Sequence, residues 1–232
     1  MEILELTDRK KYLSTQISAS DAKFRYCKFS YADAEKYLKI INDHKNFRNQ
    51  NPEMLGPILS LGVRNGREVD LFRIFAYSSK WFKRVIRFLE RRKWGMRSRL
   101  PFLEGFNRSD FSTIDGFSSI GVELNPLATR QDIWIGSFDE IPEDWYQKFE
   151  IVYTNAFDHS FDPLKTIEIW KKLLVPGGYM IFCFPQDQTP GEIDPIGDVS
   201  MEDVLNFFPG ELIYNCYRGS AWKYSEYIIK MP

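Results

Sequence analysis

Ile58-Leu59-Ser60-Leu61-Gly62-Val63-Arg64-Asn65-Gly66-Arg67-Glu68 is the stretch that decides the fold. Its first four residues read as a buried strand that stops at Gly62, and Gly62 to Gly66 read as a tight turn into a helix. Glycines in such a turn let a ligand approach the backbone, and a helix N-terminus offers N–H groups. The spacing is G-x-x-x-G, without the middle glycine of G-x-G-x-x-G, so the turn alone fits an ordinary strand-to-helix corner equally well.

Downstream the same alternation repeats. Ser119–Leu124 reads as a second strand closed by Asn125-Pro126, Asp132–Ile135 as a third and Glu150–Thr154 as a fourth. Tyr179–Phe184 reads as a fifth, introduced by Pro176-Gly177-Gly178 and ended by Pro185. Between the last two, Asp162 is placed to cap a helix with Pro163 at its first position. Leu164, Ile167, Trp170, Lys171 and Leu174 lie near one face of that helix, and Pro176-Gly177 ends it. Glu211–Tyr217 and Glu226–Lys230 look like a closing pair of strands. Strands alternating with helices predict an α/β domain with a mainly parallel sheet covered on both faces.

Upstream, residues 1–55 are polar and charged and read as an N-terminal helical extension. Ser30 and Asp33 resemble a capping box before Ala34, Tyr37, Leu38 and Ile41 at helical spacing. Residues 56–232 then form the main domain. The interval from Gly66 to Ile120 exceeds fifty residues, where a whole βαβ unit needs about thirty, so an insertion is expected at about 78–110. Within 80–99, nine cations face the single acid Glu90, leaving +8 there and −9 for the rest of the chain.

Composition bounds the function. The 232 residues fit one α/β domain, against a prior of roughly 150 residues per domain. With 44% hydrophobic and 27% charged residues, disorder, collagen and coiled coil are excluded. Lys+Arg at 31 against Asp+Glu at 32 gives −1, which argues against a general nucleic-acid binder. The strongly apolar run Tyr179–Phe184 is far short of the ~20 residues that cross a bilayer. Charge occupies the N-terminus where a signal peptide needs apolar residues. The chain is therefore expected to be soluble and cytoplasmic. Cys27, Cys183 and Cys216 are odd in number and far apart, so neither a disulfide framework nor a metal site is expected.

In a doubly wound sheet, ligands bind beyond the carboxyl ends of the strands where strand order reverses. Glu123, at the end of the second strand, could accept both hydroxyl hydrogens of a ribose; a lone surface acid fits as well until it is combined with the glycine turn. Gly136-Ser137-Phe138-Asp139-Glu140-Ile141-Pro142 follows the third strand and could bracket an adenine between Phe138 and that turn.

Taken in order, these segments resemble the class I S-adenosylmethionine-dependent methyltransferases over roughly residues 58–184. Ile58–Glu68 matches the family's glycine-rich first motif, and Ile120–Pro126 its ribose-binding strand. Gly136–Pro142 is similar to its G-D-x-x-x-L-P segment, Phe149–His159 to the strand entering the methyl-transfer site, and Leu173–Phe182 to its L-K-P-G-G passage. The resemblance implies a Rossmann-like seven-stranded sheet of order 3-2-1-4-5-7-6, with the seventh strand antiparallel. It implies S-adenosylmethionine as cofactor and S-adenosylhomocysteine as product. Gly62, Val63, Arg64, Gly66, Glu68, Glu123, Leu124, Ser137, Phe138, Asp139 and Asn155 are then the cofactor-binding candidates. The chain departs from the family where Ser60 and Ser137 replace acids and Arg64 replaces a glycine. Glu68 is the candidate counter-charge for the cofactor's ammonium.

On the acceptor side, His159 is the candidate base, a neutral imidazole near pH 7, with Asn155 and Asp158 orienting the substrate. A packing role for His159 fits the spacing too, and Asp162 reads as a cap. The basic segment fits a solvated face, a surface for a partner or an anionic membrane, or an anionic substrate site. The expected activity is methyl transfer to O or N of a small acceptor, of anionic or sugar-linked character if the basic segment serves it. The alternative is a non-catalytic subunit of this fold that engages a partner through the basic segment. An NAD-linked oxidoreductase is disfavoured by the absence of a Tyr-x-x-x-Lys pair.

Overall fold

The structure, a computed structural model, describes residues 1–23, 29–47, 55–77, 79–91, 119–219 and 223–232. In chain order the elements are α1 (Arg9–Lys23), α2 (Tyr31–Phe47), β1 (Ile58–Leu61), α3 (Arg67–Tyr77) and α4 (Lys80–Arg91). They continue with β2 (Ser119–Glu123), β3 (Ile133–Ile135), β4 (Phe149–Thr154), α5 (Pro163–Leu173) and β5 (Leu174–Pro185). α6 (Met201–Phe207), β6 (Glu211–Gly219) and β7 (Lys223–Lys230) close the fold. The sheet has the expected order, β3-β2-β1-β4-β5-β7-β6. β1 to β5 run parallel, and β7 lies antiparallel to both β5 and β6.

Alternation along the strands divides the core in two. Leu59, Leu61, Val152, Met180 and Phe182 face one side, where Ile167, Trp170 and Leu173 of α5 and Val204 of α6 cover them. Ile58, Ile151, Tyr153, Tyr179 and Ile181 face the other, beneath α2 and α3. The Ser30–Asp33 capping box of α2 is present: Ser30 N donates to Asp33 Oδ2 at 3.0 Å and Asp33 N to Ser30 Oγ at 3.3 Å. Ala34, Tyr37, Leu38 and Ile41 carry α2 into the core, and Lys45 pairs with Glu150 of β4 at 2.5 Å. The N-terminal segment thus completes one face of the sheet instead of hanging from it.

Two expectations at α5 need correction. Asp162 caps it, accepting from Lys165 N at 3.2 Å, and Pro163 is its first residue. The helix stops at Leu173, however, and β5 starts at once with Leu174 beside Phe149. Pro176-Gly177-Gly178 lies inside β5, where the register shifts between Phe149 and Ile151. Leu164, expected on the buried face, is 62% exposed, and Thr166 and Ile169 are buried instead. The N-terminal segment also holds α1, a helix the apolar pattern did not indicate.

Of the basic segment, α4 is described, and residues 92–110 of the expected insertion lie outside the described residues. Ile86 is buried against α2 and α3, and Arg87 pairs with Glu35 of α2. Trp81 and Phe88 stay exposed.

Candidate functional site

A cavity of about 760 Å³ opens where β1 and β4 part, at the reversal of strand order. Gly62, Arg64, Glu68, Glu123, Leu124, Ser137, Phe138, Asp139, Asn155, Asp158 and His159 all line it. Eleven residues from four separate segments of sequence thus converge on one space. Val63 and Gly66 do not line it. Val63 packs with Val69, Ala128 and Ile133, while a Cβ on Gly66 would come within 2.8 Å of the Arg130 guanidinium.

The glycine turn contributes shape more than donors. Gly62 N and Val63 N both donate to Val122 O, at 2.9 and 3.2 Å, and Gly66 N donates to Val63 O at 2.8 Å. Arg67 N donates to Asn65 Oδ1 at 3.1 Å. The N–H groups expected to face a ligand there are engaged within the protein. Gly62 adopts φ +73°, and a Cβ on it would stand 2.5 Å from Ala156 Cβ, so only glycine lets β1 and the β4 end approach this closely. Arg64 takes a left-handed φ of +50°, the conformation that a glycine would adopt without steric cost. A buried network holds the turn from behind. Arg130 donates to Asp70 of α3 at 2.6 Å and to Asp132 at 2.7 Å, and Arg73 donates to Asp132 at 2.8 Å.

Glu123 ends β2 with its side chain almost wholly enclosed. Arg64 N donates to its Oε2 at 2.6 Å and Asn125 N to its Oε1 at 3.0 Å. Burial raises its pKa, and the two backbone donors pull the other way. Each carboxylate oxygen keeps a second lone pair for a diol.

The 136–142 segment departs from expectation in two ways. The Phe138 ring comes within 3.8 Å of the position a Cβ would take on Gly62. No aromatic base fits between those two, so the expected bracketing by Phe138 and the glycine turn is closed off. Asp139 is committed internally. Its carboxylate accepts from Thr166 Oγ1 at 2.5 Å, Ser160 Oγ at 3.2 Å and Phe161 N at 3.4 Å, and burial raises its pKa against those donors. It ties Ser160 and Phe161, just after the turn 157–159, to Thr166 of α5, which leaves Ser137 as the polar side chain nearest its expected role.

At the far end, one turn of 3₁₀ helix, Phe157–His159, presents Asp158 and His159. His159 Nδ1 lies 2.8 Å from Asp194 Oδ1, and its Nε2 lies 3.9 Å from Asp158 Oδ1. Burial alone would lower the imidazole pKa, but the carboxylates of Asp158 and Asp194 outweigh it and raise it to about 9. That direction favours the imidazolium near neutral pH, against the neutral imidazole expected of a base. The ligand atoms of Asp158, His159 and Asp194 lie within 4.8 Å of one another.

The rest of this end was not anticipated. α1 supplies Tyr12, Leu13, Gln16, Ala19 and Ser20; the loop after β5 supplies Gln186, Asp187, Gln188, Ile193 and Asp194; β7 supplies Lys223 and Tyr224. Tyr12 donates to His159 O at 2.9 Å and Ile193 O at 3.3 Å, and Gln16 Nε2 donates to Tyr12 Oη at 2.8 Å. Asn125 Nδ2 donates to Asp21 Oδ1 at 2.7 Å, and Arg9 pairs with Glu140. α1 thus lies across the cavity mouth. Two signals were available: Asp8, which accepts from Lys11 N at 2.9 Å as a helix start, and the long polar stretch after Pro185. No described residue of α4 lines the cavity.

No family model and no curated protein sequence matches the chain. Solved structures do match in fold. One is Burkholderia thailandensis 1,6-didemethyltoxoflavin-N1-methyltransferase, bound to its substrate and S-adenosylhomocysteine, at TM-score 0.57 and 11% identity over 98% of this chain and 92% of that one. A second is the CurJ carbon methyltransferase, at TM-score 0.53 and 12% identity over 97% of this chain and 61% of that one. The [4+2]-cyclase SpnF matches at TM-score 0.50 and 9% identity over 100% and 98%. Strand order, switch-point cavity and these likenesses together give the chain the seven-stranded Rossmann-like fold found in class I S-adenosylmethionine-dependent methyltransferases.

Proposed function

We propose that the protein transfers a methyl group from S-adenosylmethionine to nitrogen or oxygen of a small acceptor, with S-adenosylhomocysteine as product. The observation that carries this reading is the Glu123 carboxylate, held by two backbone N–H groups at the switch point and facing a cavity large enough for donor and acceptor together. The residues fit the cofactor. Glu123 would take the ribose hydroxyls, Leu124 and Phe138 would flank the base, and Ser137 would meet its polar edge. Gly62 leaves the backbone open to close approach. With Ser60 buried on β1 where the family carries an acid, Glu68 supplies the carboxylate for the methionine ammonium.

When bound, the cofactor supplies an electrophilic methyl on a sulfonium. The chain has to align an acceptor with it, at about 3 Å, and exclude water. Asn155 at the end of β4 is positioned to orient the acceptor. α1 and the 186–194 loop close the far side. α4 is assigned no substrate role, because none of its described residues lines the cavity. The N1-methyltransferase named above lends the nitrogen reading more weight than the oxygen one.

Calorimetric titration with S-adenosylmethionine and S-adenosylhomocysteine, for wild type and Glu123→Ala, tests the reading. Binding by the wild type that weakens in the variant supports it. Absence of heat and of thermal shift at millimolar ligand refutes it and favours the non-catalytic alternative.

A further inference from the structure

The acceptor end of the cavity has a charge pattern that selects a substrate class. Three carboxylates, Asp158, Asp187 and Asp194, face two cations there, Lys223 and His159. Lys223 pairs with Asp187, and His159 stands 2.8 Å from Asp194. Among the described residues, the lining of the whole cavity holds six carboxylates against three cations, counting His159 as charged. A cleft lined by an excess of one sign concentrates ligands of the other.

From this geometry we infer that the acceptor is a small amine, drawn in by the carboxylates of Asp158, Asp187 and Asp194; the inference rests on the methyltransferase reading above. The amine enters as an ammonium ion and gives one proton to one of these carboxylates, which passes it to solvent. Its lone pair then forms the new N–C bond while the C–S bond breaks, the electron pair going to sulfur. The product leaves as a methylammonium ion. The positive charge thus moves from sulfonium to nitrogen, and carboxylates around that nitrogen stabilise it throughout. The recognition is the reverse of an anionic-acceptor site.

The test uses the full chain and three matched probe sets sharing carbon skeletons: arylalkylamines such as 2-phenylethylamine, the corresponding carboxylates such as 3-phenylpropanoate, and the corresponding alcohols. Binding is read by calorimetry with S-adenosylhomocysteine saturating, and turnover by its release from S-adenosylmethionine. The expected result is amine binding at least about tenfold tighter than that of the matched carboxylate or alcohol. Asp158→Asn with Asp194→Asn should weaken the amines about tenfold and leave the S-adenosylhomocysteine affinity within twofold. Tighter binding of carboxylates or alcohols overturns the inference. So does failure of all three sets while S-adenosylhomocysteine still binds. Loss of S-adenosylhomocysteine binding by the wild type instead removes the underlying methyltransferase reading.

Discussion

The two ends of the cavity are built from different material. The end proposed for the donor is made where β1, β2 and β3 stop: a left-handed turn, a buried carboxylate clasped by backbone N–H groups, and a glycine pressed against Ala156. The end proposed for the acceptor is made from side chains on α1, the loop after β5 and the first residues of β7, far apart in sequence and joined by hydrogen bonds and ion pairs. Strand ends are fixed by the sheet, so the donor end is rigid. The acceptor end is held by contacts that cost little to remake, which lets one fold accept different substrates.

Variants should separate the two. The largest effect is expected from Glu123→Ala. It removes the carboxylate proposed for the ribose and leaves the N–H groups of Arg64 and Asn125 without their partner. S-adenosylhomocysteine affinity should fall about 10- to 100-fold, and stability by roughly 1–3 kcal/mol; calorimetry and thermal unfolding read both. An unchanged affinity would remove Glu123 from the donor end. Next is Gly62→Ala, where a left-handed φ and a 2.5 Å clash with Ala156 combine. About 2–4 kcal/mol of destabilisation is expected in urea unfolding, together with weaker donor binding.

His159→Gln acts at the other end and through pH. The His159 pKa is raised from 6.5 to about 9 in the folded protein, so its contribution is full below pH 6.5 and disappears as pH rises through 9. Wild type should lose on the order of 2–3 kcal/mol across that window that the variant does not lose. Parallel stability curves for the two proteins would contradict the imidazolium assignment. The smallest effect belongs to Tyr12→Phe, which deletes the hydroxyl joining α1 to His159 O and Ile193 O. It should cost about 1 kcal/mol and raise the acceptor KM while S-adenosylhomocysteine affinity stays put. A change in donor affinity instead would mean that the ends are coupled through α1.

The same division governs what could be read from the residues. Short apolar runs and glycine or proline stops are local signals, so Ile58–Leu61, Ser119–Leu124 and Glu150–Thr154 were legible, and with them Glu123; the sheet order followed from the family resemblance. α1 was not, because its sequence, Arg9–Lys23, carries hardly any apolar stripe; it is a helix that meets the body through polar groups. Asp139 looked free for a ligand because nothing local shows that Thr166 and Ser160, more than twenty residues away, occupy it. The charge state of His159 depended on Asp194, thirty-five positions downstream on a loop without regular pattern. Long-range side-chain pairing is what a one-dimensional pattern fails to carry.

The mode of α1's attachment sets a clock. Tyr12 is its single buried residue among the described side chains, and its other ties are hydrogen bonds and an ion pair at the cavity rim. Lifting it exposes little apolar surface, so it should open far more often than the sheet unfolds. Amides of 9–23 should therefore exchange with deuterium well ahead of those in β1, β4 and β5. Ligands would enter and leave during these openings, and the lifetime of the closed state, more than the chemistry beneath it, would set an upper limit on turnover.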